Sequence, residues 1–121
     1  MTVKIDLKLQ LVGDGEIDAY VDNIIIGGLT GIDVEAIEKH LDELALIGVT
    51  RPSAIPLFFR AAADMVSTAD DVQVIGEDTS GEAEFVLLGT DDGMLVGVGS
   101  DHTDRKVEAY SIAVSKQMCP K

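Results

Sequence analysis

The segment GEAEFVLLGTDDGMLVGVGSD, residues 81–101, places two apolar runs on either side of an acidic turn. Both runs have the length and composition of strands, and Asp92-Gly93 is among the strongest short signals for a hairpin. A two-residue turn at these positions predicts an antiparallel hairpin with Glu84 directly opposite Asp101. Glu82 then lies diagonally from Asp101 on the same face, because side chains two apart on a strand share a face.

This register predicts that three carboxylates converge at the open end of the hairpin. Directly opposed Cβ atoms lie about 4.5–5.5 Å apart, and like charges at that separation destabilise the pair unless something neutralises them. A divalent cation would neutralise them, and all-oxygen ligands suit Mg²⁺, Mn²⁺ or Ca²⁺ better than Zn²⁺. The alternative is a solvated acidic end of the sheet, with Arg105 pairing with Asp101 or Asp104 at the surface.

The same register makes predictions about the residues around the carboxylates. Val86 faces Gly99 and Leu88 faces Gly97. Because glycine has no side chain, we expect open space on this face beside the three carboxylates. His102 points to the opposite face of the hairpin, so we do not count it among the ligands.

The rest of the chain predicts an α+β domain that is mainly β. Residues 3–11 alternate between apolar and polar and pair with residues 17–21 across a Gly13-Asp14-Gly15 turn, and a short apolar strand follows at 24–26. One main helix is predicted from a cap at Thr30 to about Ile47, with Gly48 ending it. Further short strands are predicted after the proline-bounded loop and at residues 72–75.

His40 and Glu43 are three residues apart on this helix and are therefore neighbours. Their spacing from Ile37 and Leu44 predicts that His40 lies on the core-facing side. A glutamate that orients a histidine ring is one way to build a general base. The alternative is a histidine at the helix edge beside a solvated glutamate.

The net charge, the cysteine count and the absence of long apolar runs limit the kinds of partner and the cellular location that we expect. The 121 residues carry a formal net charge of −13, which argues against nucleic acid and anionic membrane surfaces, because both require Lys and Arg. The chain has one cysteine, so it cannot form an internal disulfide. No N-terminal segment of this sequence has the basic-then-apolar pattern of a signal peptide, and no apolar run approaches 18 residues, so we expect a cytoplasmic location by default.

Five motifs in one order resemble the fumarylacetoacetate hydrolase superfamily over about residues 37–121. KHLDEL is similar to the family's His-x-x-Glu segment, GEAEFVLL to its Glu-x-Glu, and GSDHTDRKVE to its GNDxSARDxQ. RPSAIPLFFR resembles the proline-rich loop that ends Phe-x-Lys, with Arg60 at the lysine position, and SKQMCPK resembles a loop with an active-site lysine. The sequences of these motifs are most similar to those of an uncharacterised bacterial branch of that superfamily.

The resemblance implies a mixed β-roll, a homodimer and a Mg²⁺ or Mn²⁺ site, with Ca²⁺ also possible. It implies a small-molecule substrate, a 2-oxo or β-dicarbonyl acid, that undergoes C–C bond hydrolysis, decarboxylation, hydration or isomerisation. Three sets of residues carry over: metal ligands Glu82, Glu84 and Asp101; catalytic residues His40, Glu43 and Lys116; and substrate-binding residues Arg60, Thr103, Arg105 and Glu108.

Members of the superfamily continue well beyond the lysine motif. The resemblance therefore implies that residues 1–121 are the N-terminal part of a longer catalytic domain, with the roll incomplete at its C-terminus. Two other functions stay open. One is a non-catalytic binding or assembly protein that retains the roll, and the other is an acidic interaction module with its acids scattered over the surface.

Overall fold

The computed structural model describes residues 3–52 and 54–121; Met1, Thr2 and Ser53, the last within the proline-bounded loop, lie outside the described residues. The fold is α+β and mainly β, as predicted. The strands are β1 Ile5–Leu11, β2 Gly15–Val21, β3 Ile24–Gly28, β4 Leu57–Ala61, β5 Thr79–Ser80, β6 Ala83–Thr90, β7 Gly93–Ser100 and β8 Thr103–Asp104. The helices are α1 Val34–Leu46, α2 Arg105–Glu108 and α3 Ile112–Gln117, with a 3₁₀ turn at Ala63–Met65.

The N-terminal hairpin forms as its alternating pattern predicts. Strands β1 and β2 pair antiparallel from Ile5 opposite Val21 to Leu11 opposite Gly15. Gly15 has a φ of +76°, in the left-handed region that a tight turn requires and that glycine adopts without steric cost. The alternate apolar residues of both strands are half-buried and the residues between them are exposed, so one face of the hairpin is partly covered and the other is in solvent.

Helix α1 begins later than predicted. The predicted cap at Thr30 is wrong: Asp33 is the N-cap, and its side chain accepts a hydrogen bond from the Ala36 N–H at 3.1 Å. A cap at Thr30 would place Gly31, a poor helix former, in the first turn. The helix ends before Gly48, which has a φ of +89° and supplies the expected stop.

The predicted strand at residues 72–75 is also wrong. Within the described ranges these residues form no ladder with another segment, and an apolar run without a pairing partner does not become a strand. The strand that follows the proline-bounded loop is confirmed, since β4 pairs antiparallel with β3 and Ile26 lies opposite Phe59.

The β6–β7 hairpin forms with a different turn from the one predicted. Thr90 pairs with Gly93, so Asp91-Asp92 is the two-residue turn and Asp92-Gly93 is not. Thr90 fixes it, because its Oγ1 accepts from the Asp92 N–H at 3.3 Å and donates to the Gly93 carbonyl at 2.7 Å. Gly93 has a φ of +125°, a conformation that glycine adopts most readily.

The register is therefore corrected by two residues along β7. Glu84 lies opposite Gly99, Val86 opposite Gly97 and Leu88 opposite Leu95, so the predicted glycine partners of Val86 and Leu88 are wrong. An even shift leaves every side chain on its predicted face, because the side-chain period of a strand is two.

Burial is divided between two small groups of residues of different chemistry. The buried apolar residues are Ile26, Leu41, Leu44, Val49, Ala63 and Cys119. The buried polar residues all belong to the last part of the chain: Asp101, Thr103, Asp104, Glu108, Ser115 and Lys116. Among the described residues, no helix combines the length and the apolar character that crossing a membrane requires.

Candidate functional site

The pairing of β6 with β7 continues past the end of the hairpin and places Glu82 beside Asp101. The Asp101 N–H donates to the Glu82 carbonyl at 2.8 Å, and β5 then pairs with β8 in the same register. Gly81 permits this close approach, because a Cβ at that position would lie 2.5 Å from the Ser100 Oγ. Glu82, not Glu84, is thus the residue opposite Asp101.

Three carboxylates converge at this point, as the strand pattern predicts. One oxygen each from Glu82, Glu84 and Asp101 can be chosen so that all three lie within 4.8 Å of one another. We call these three residues the carboxylate cluster. Asp101 is buried, Glu82 is half-buried and Glu84 is exposed, so the cluster opens to solvent on the Glu84 side.

Two lysines from the C-terminal segment hold Asp101. Lys116 lies in the last turn of α3, and its Nζ donates to Asp101 Oδ2 at 2.7 Å, to Thr103 Oγ1 at 3.1 Å and to Glu82 Oε2 at 3.2 Å. Lys121 Nζ donates to Asp101 Oδ1 at 2.6 Å and to the His102 carbonyl at 2.7 Å. The most buried carboxylate of the cluster is therefore fully paired.

Arg105 holds the other side of Glu82. Its guanidinium lies 2.8 Å from Glu82 Oε1 and 3.5 Å from Glu108 Oε2, and its Nε donates to Ser80 Oγ at 2.7 Å. The residue before it, Asp104, caps the short helix α2. Glu82 is thus bracketed by Lys116 and Arg105.

Burial and pairing shift the ionisation of these groups in different directions. Burial alone would raise the pKa of Asp101, but the hydrogen bonds from Lys116 and Lys121 outweigh it, and the pKa lies below its ordinary value of 3.8. Burial would lower the pKa of Lys116, but its hydrogen bond to Asp101 and the nearby negative charges raise it. Both groups are therefore charged near neutral pH.

Glu84 behaves differently from its two partners. Partial burial, followed by the negative charges of Asp101 and Glu82, raises the pKa of Glu84 above its ordinary value of 4.5. Within residues 3–52 and 54–121, no basic group lies within ion-pair distance of its carboxylate. The repulsion within the cluster thus falls mainly on Glu84, where the positive charge of Lys116 offsets only part of it.

Two more of the residues that the resemblance assigns to the substrate lie beside the basic groups that hold the cluster. Thr103 is completely buried, accepts from Lys116 and donates to the Asp101 carbonyl at 3.4 Å. Glu108 is buried beside Arg105. Both therefore contact basic groups of the site rather than its open side.

The structure does not connect the two predicted catalytic residues of α1, His40 and Glu43, to the carboxylate cluster. The prediction that His40 faces the core is wrong: its side chain is 54% exposed and lies 4.0 Å from the Glu43 carboxylate, which is 60% exposed. Leu41 and Leu44 form the buried stripe of α1 instead. No ion pair or hydrogen bond connects either residue to the cluster in the part of the chain that the structure describes.

Arg60 is also separate from the cluster in its contacts. Its side chain is exposed on β4 and donates to the Asn23 side chain. Its carbonyl accepts from Gln117 Nε2 at 2.7 Å, which connects β4 to the end of α3.

Sequence reasoning missed Lys121 and the cap at Asp104. Two backbone hydrogen bonds fix Lys121, one from its N–H to the Met65 carbonyl and one from the Ser67 N–H to its carbonyl, both at 2.9 Å. No local pattern predicts such a long-range contact. Asp104 had a usable signal, because an Asp followed by a charged, helix-forming run is typical of an N-cap; its Oδ1 accepts from the N–H groups of Lys106 and Val107.

The chemistry open to this site follows from its donors. The carboxylate cluster offers hard oxygen ligands, and three basic groups lie at its edge, where they can bind an anion. A family model described as "Protein of unknown function (DUF2848)" matches residues 27–121, which include the whole cluster and its basic groups. Neither the curated proteins nor the solved structures contain a match to this chain.

Proposed function

The chain belongs to the DUF2848 family of proteins of unknown function, and we propose that it is a divalent-metal-dependent enzyme acting on 2-oxo or β-dicarbonyl acids. The observation that carries this proposal is the convergence of three carboxylate oxygens within 4.8 Å. The motif order that resembles the fumarylacetoacetate hydrolase superfamily supports the substrate class and a roll-type fold. Glu82, Glu84 and Asp101 would hold Mg²⁺ or Mn²⁺, with Ca²⁺ as a third option.

The donor set fits such an ion. All three side chains offer hard oxygens, and among the described residues Glu84 has no basic group within ion-pair distance, which favours binding of a cation. A bound ion would share Glu82 and Asp101 with Arg105, Lys116 and Lys121. A bound dication would supply polarisation of the substrate's two carbonyl oxygens and stabilisation of the negative charge that develops on them.

Charge balance supports an acidic substrate. Four carboxylates and three basic groups make up the set: Glu82, Glu84, Asp101, Glu108, Arg105, Lys116 and Lys121. Four negative charges against three positive ones leave a net charge of −1. A dication alone would turn this into an excess of positive charge, whereas a dication together with a dianionic acid would not. The proposal therefore expects metal and substrate to bind together.

The basic groups of the chain have a direct role in this proposal. Arg105 is the most exposed of the three, and its fork of donors is suited to a bidentate contact with a substrate carboxylate. Lys116 is held beside the cluster by three hydrogen bonds and can stabilise negative charge without moving far. Because His40 and Glu43 are exposed on α1, the proposal assigns them no contact with the substrate.

Metal titration tests the proposal. Mn²⁺ should raise the melting temperature of the wild type by several degrees, and Glu84→Gln should abolish the rise. Glu77→Gln, an exposed glutamate outside the cluster, is the matched control and should keep it. Oxalate should enlarge the Mn²⁺ effect and acetate should not. Equal shifts in the two variants would overturn the metal site.

Turnover tests the substrate class separately. With Mn²⁺ present, wild type and Glu77→Gln should catalyse the conversion of oxaloacetate or an acylpyruvate, measured as the loss of the substrate's ultraviolet absorbance. Glu84→Gln should not. A metal-dependent rise in melting temperature without turnover of either compound would support the metal site but contradict the proposed reaction.

A non-catalytic binding or assembly role is the second candidate, and one observation favours it. Lys116, Lys121 and Arg105 already neutralise Glu82 and Asp101, so the ion pairs can be purely structural. This candidate predicts no Mn²⁺ effect on the wild type and no turnover.

A further inference from the structure

Asp101 is held by two separate ammonium groups, one on each of its carboxylate oxygens. Lys116 Nζ lies 2.7 Å from Asp101 Oδ2, and Lys121 Nζ lies 2.6 Å from Asp101 Oδ1. The side chains of the two lysines are only 8% and 9% exposed. A single carboxylate carries one negative charge, so Asp101 can balance only one of these ammonium groups.

Lys116 has a second carboxylate partner, whereas Lys121 has none among the described residues. Lys116 also donates to Glu82 Oε2 at 3.2 Å and to Thr103 Oγ1 at 3.1 Å. The other acceptor of Lys121 is the His102 carbonyl at 2.7 Å, which is a neutral group. Lys121 therefore brings a positive charge to the carboxylate cluster without a carboxylate of its own.

The backbone of residue 121 fixes this lysine in place. Its N–H donates to the Met65 carbonyl and its carbonyl accepts from the Ser67 N–H, both at 2.9 Å. The side chain is held in turn by the two hydrogen bonds that its Nζ donates. Moving the ammonium group away would break both of them, so the charge stays beside the cluster when a cation arrives.

A positive charge in this position opposes a cation that binds the carboxylates. Like charges a few ångströms apart repel each other strongly where burial lowers the effective dielectric constant. A cation on the carboxylate cluster would share Asp101 with Lys121, so two positive charges would lie against one carboxylate. Lys121 therefore weakens the binding of a metal ion by itself.

An acidic ligand reverses this effect. The four carboxylates and three basic groups of the site have a net charge of −1. A dication changes this charge to +1, and a dication with a dianion returns it to −1. Without the charge of Lys121 the three values are −2, 0 and −2. The metal-loaded site therefore attracts an anion more strongly when Lys121 is present.

We propose that Lys121 couples the two ligands of this site: it weakens binding of the metal alone and favours binding of the metal together with an acidic ligand. This inference rests on the proposed metal site and adds a role for one residue in how that site fills. The coupling is reciprocal, so metal and acid favour each other by the same factor. If Lys121 only oriented Asp101, its loss would weaken metal binding, which is the opposite sign.

Mn²⁺ binding to the metal-free protein tests the inference without turnover. The electron paramagnetic resonance signal of free Mn²⁺ gives the Kd for wild type, Lys121→Met and Lys39→Met; Lys39, an exposed lysine of α1, is the matched loss of charge. Lys121→Met should lower the Kd by on the order of tenfold, and Lys39→Met should stay within about twofold of wild type.

Oxalate measures the coupling itself. With allowance for the complex that oxalate forms with free Mn²⁺, saturating oxalate should lower the Mn²⁺ Kd of wild type and Lys39→Met by a larger factor than that of Lys121→Met. An equal factor in all three proteins would overturn the coupling.

Two further substitutions at residue 121 keep the test decisive if Lys121→Met fails to fold. Lys121→Arg retains the positive charge and should bind Mn²⁺ as wild type does. Lys121→Gln removes the charge but retains a hydrogen-bond donor, and it should bind Mn²⁺ more tightly than wild type.

The outcomes separate this inference from the metal site on which it rests. Unchanged or weaker Mn²⁺ binding in Lys121→Met and Lys121→Gln, with binding by wild type, would overturn the inference and leave the metal site. Equal tightening in Lys39→Met would also overturn it, because net charge alone would then be the cause. Binding of Mn²⁺ by none of these proteins would contradict the metal site itself, and the inference with it.

Discussion

Two acid-bearing regions of the molecule, the carboxylate cluster and the His40–Glu43 pair on α1, occupy opposite environments. The cluster contains a buried aspartate and is held by two lysines and an arginine. The side chains of His40 and Glu43 are both more than half exposed, and His40 Nδ1 lies 4.0 Å from Glu43 Oε2. Strand pairing and the returning C-terminal segment bury Asp101 with its partner Lys116, whereas helical spacing alone leaves His40 and Glu43 on the surface.

The difference teaches that spacing along one element defines an angle but not an environment. His40 is adjacent to Leu41 in sequence, yet the buried stripe of α1 follows Leu41 and Leu44 and leaves His40 outside it. In the hairpin, two strands fix both the direction and the neighbour of each side chain. The contrast between the two regions can be tested by substitutions of decreasing expected effect.

Removing Lys116 should have the largest effect on stability. Lys116→Met retains much of the side-chain length but leaves Glu82 and Asp101 with one cation fewer inside the protein. Breaking a buried charge pair by removing one partner costs about 3 kcal/mol or more. Urea unfolding should show this loss, and the matched change Lys106→Met, at an exposed lysine of α2, should cost less than about 0.5 kcal/mol. Equal losses would show that the buried ion pairs add nothing.

The caps of α1 and α2 give the second comparison. Asp104 is buried and accepts two backbone hydrogen bonds at 3.0 and 2.9 Å, whereas the exposed Asp33 accepts one at 3.1 Å. Asp104→Ala should cost about 2 kcal/mol and Asp33→Ala about 0.5–1 kcal/mol, the upper and lower parts of the range for caps. Thermal unfolding of both variants measures the difference, and a larger loss for Asp33→Ala would contradict it.

Local patterns predicted most of the strands and the convergence of the three carboxylates. They did so despite a wrong turn, because a two-residue shift of register preserves the face of every side chain. The turn itself could not be predicted from Asp-Gly alone, since the Thr90 hydroxyl selects Asp91-Asp92 through contacts on both sides.

The positions of the basic groups were less predictable. Lys121 reaches Asp101 only because its backbone pairs with Met65 and Ser67, far away in sequence. The resemblance to a known superfamily pointed to Lys116 and Arg105. The alternative drawn from the residues, in which Arg105 pairs with Asp101 or Asp104, is wrong, because Arg105 pairs with Glu82 and Glu108. Long-range contacts decide this part of the site, and a single sequence carries no local signal for them.

Glu84 gives a smaller effect with the opposite sign. Its pKa is raised in the folded protein, so below pH 4.5 it is protonated in both states and costs nothing. As pH rises through 4.5 and then the raised value, the folded state is penalised. Without metal, Glu84→Gln should therefore stabilise the protein at neutral pH by less than about 1 kcal/mol, because the group is exposed and screened.

Urea unfolding of wild type and Glu84→Gln between pH 3 and pH 7 measures this gain. The gain should disappear at the acid end. Asp101 acts in the reverse direction: its pKa is lowered from 3.8, so its contribution to stability is present above pH 3.8 and is lost as pH falls below that value. Both curves should therefore decline at low pH, and a gain that persists there would contradict repulsion as its cause.

His40→Ala should have the smallest effect, less than about 0.5 kcal/mol, because an exposed pair of this kind adds little to stability. It should also leave turnover on an acylpyruvate within about twofold of wild type, since among the described residues no hydrogen bond or ion pair links His40 or Glu43 to the cluster. Leu41→Ala, one residue further along the same helix, is the control for the buried stripe and should cost about 2 kcal/mol or more. A large loss of turnover in His40→Ala, with stability unchanged, would mean that α1 reaches the substrate in a state of the molecule other than this one. In that case the contrast between the two regions would describe the resting protein alone.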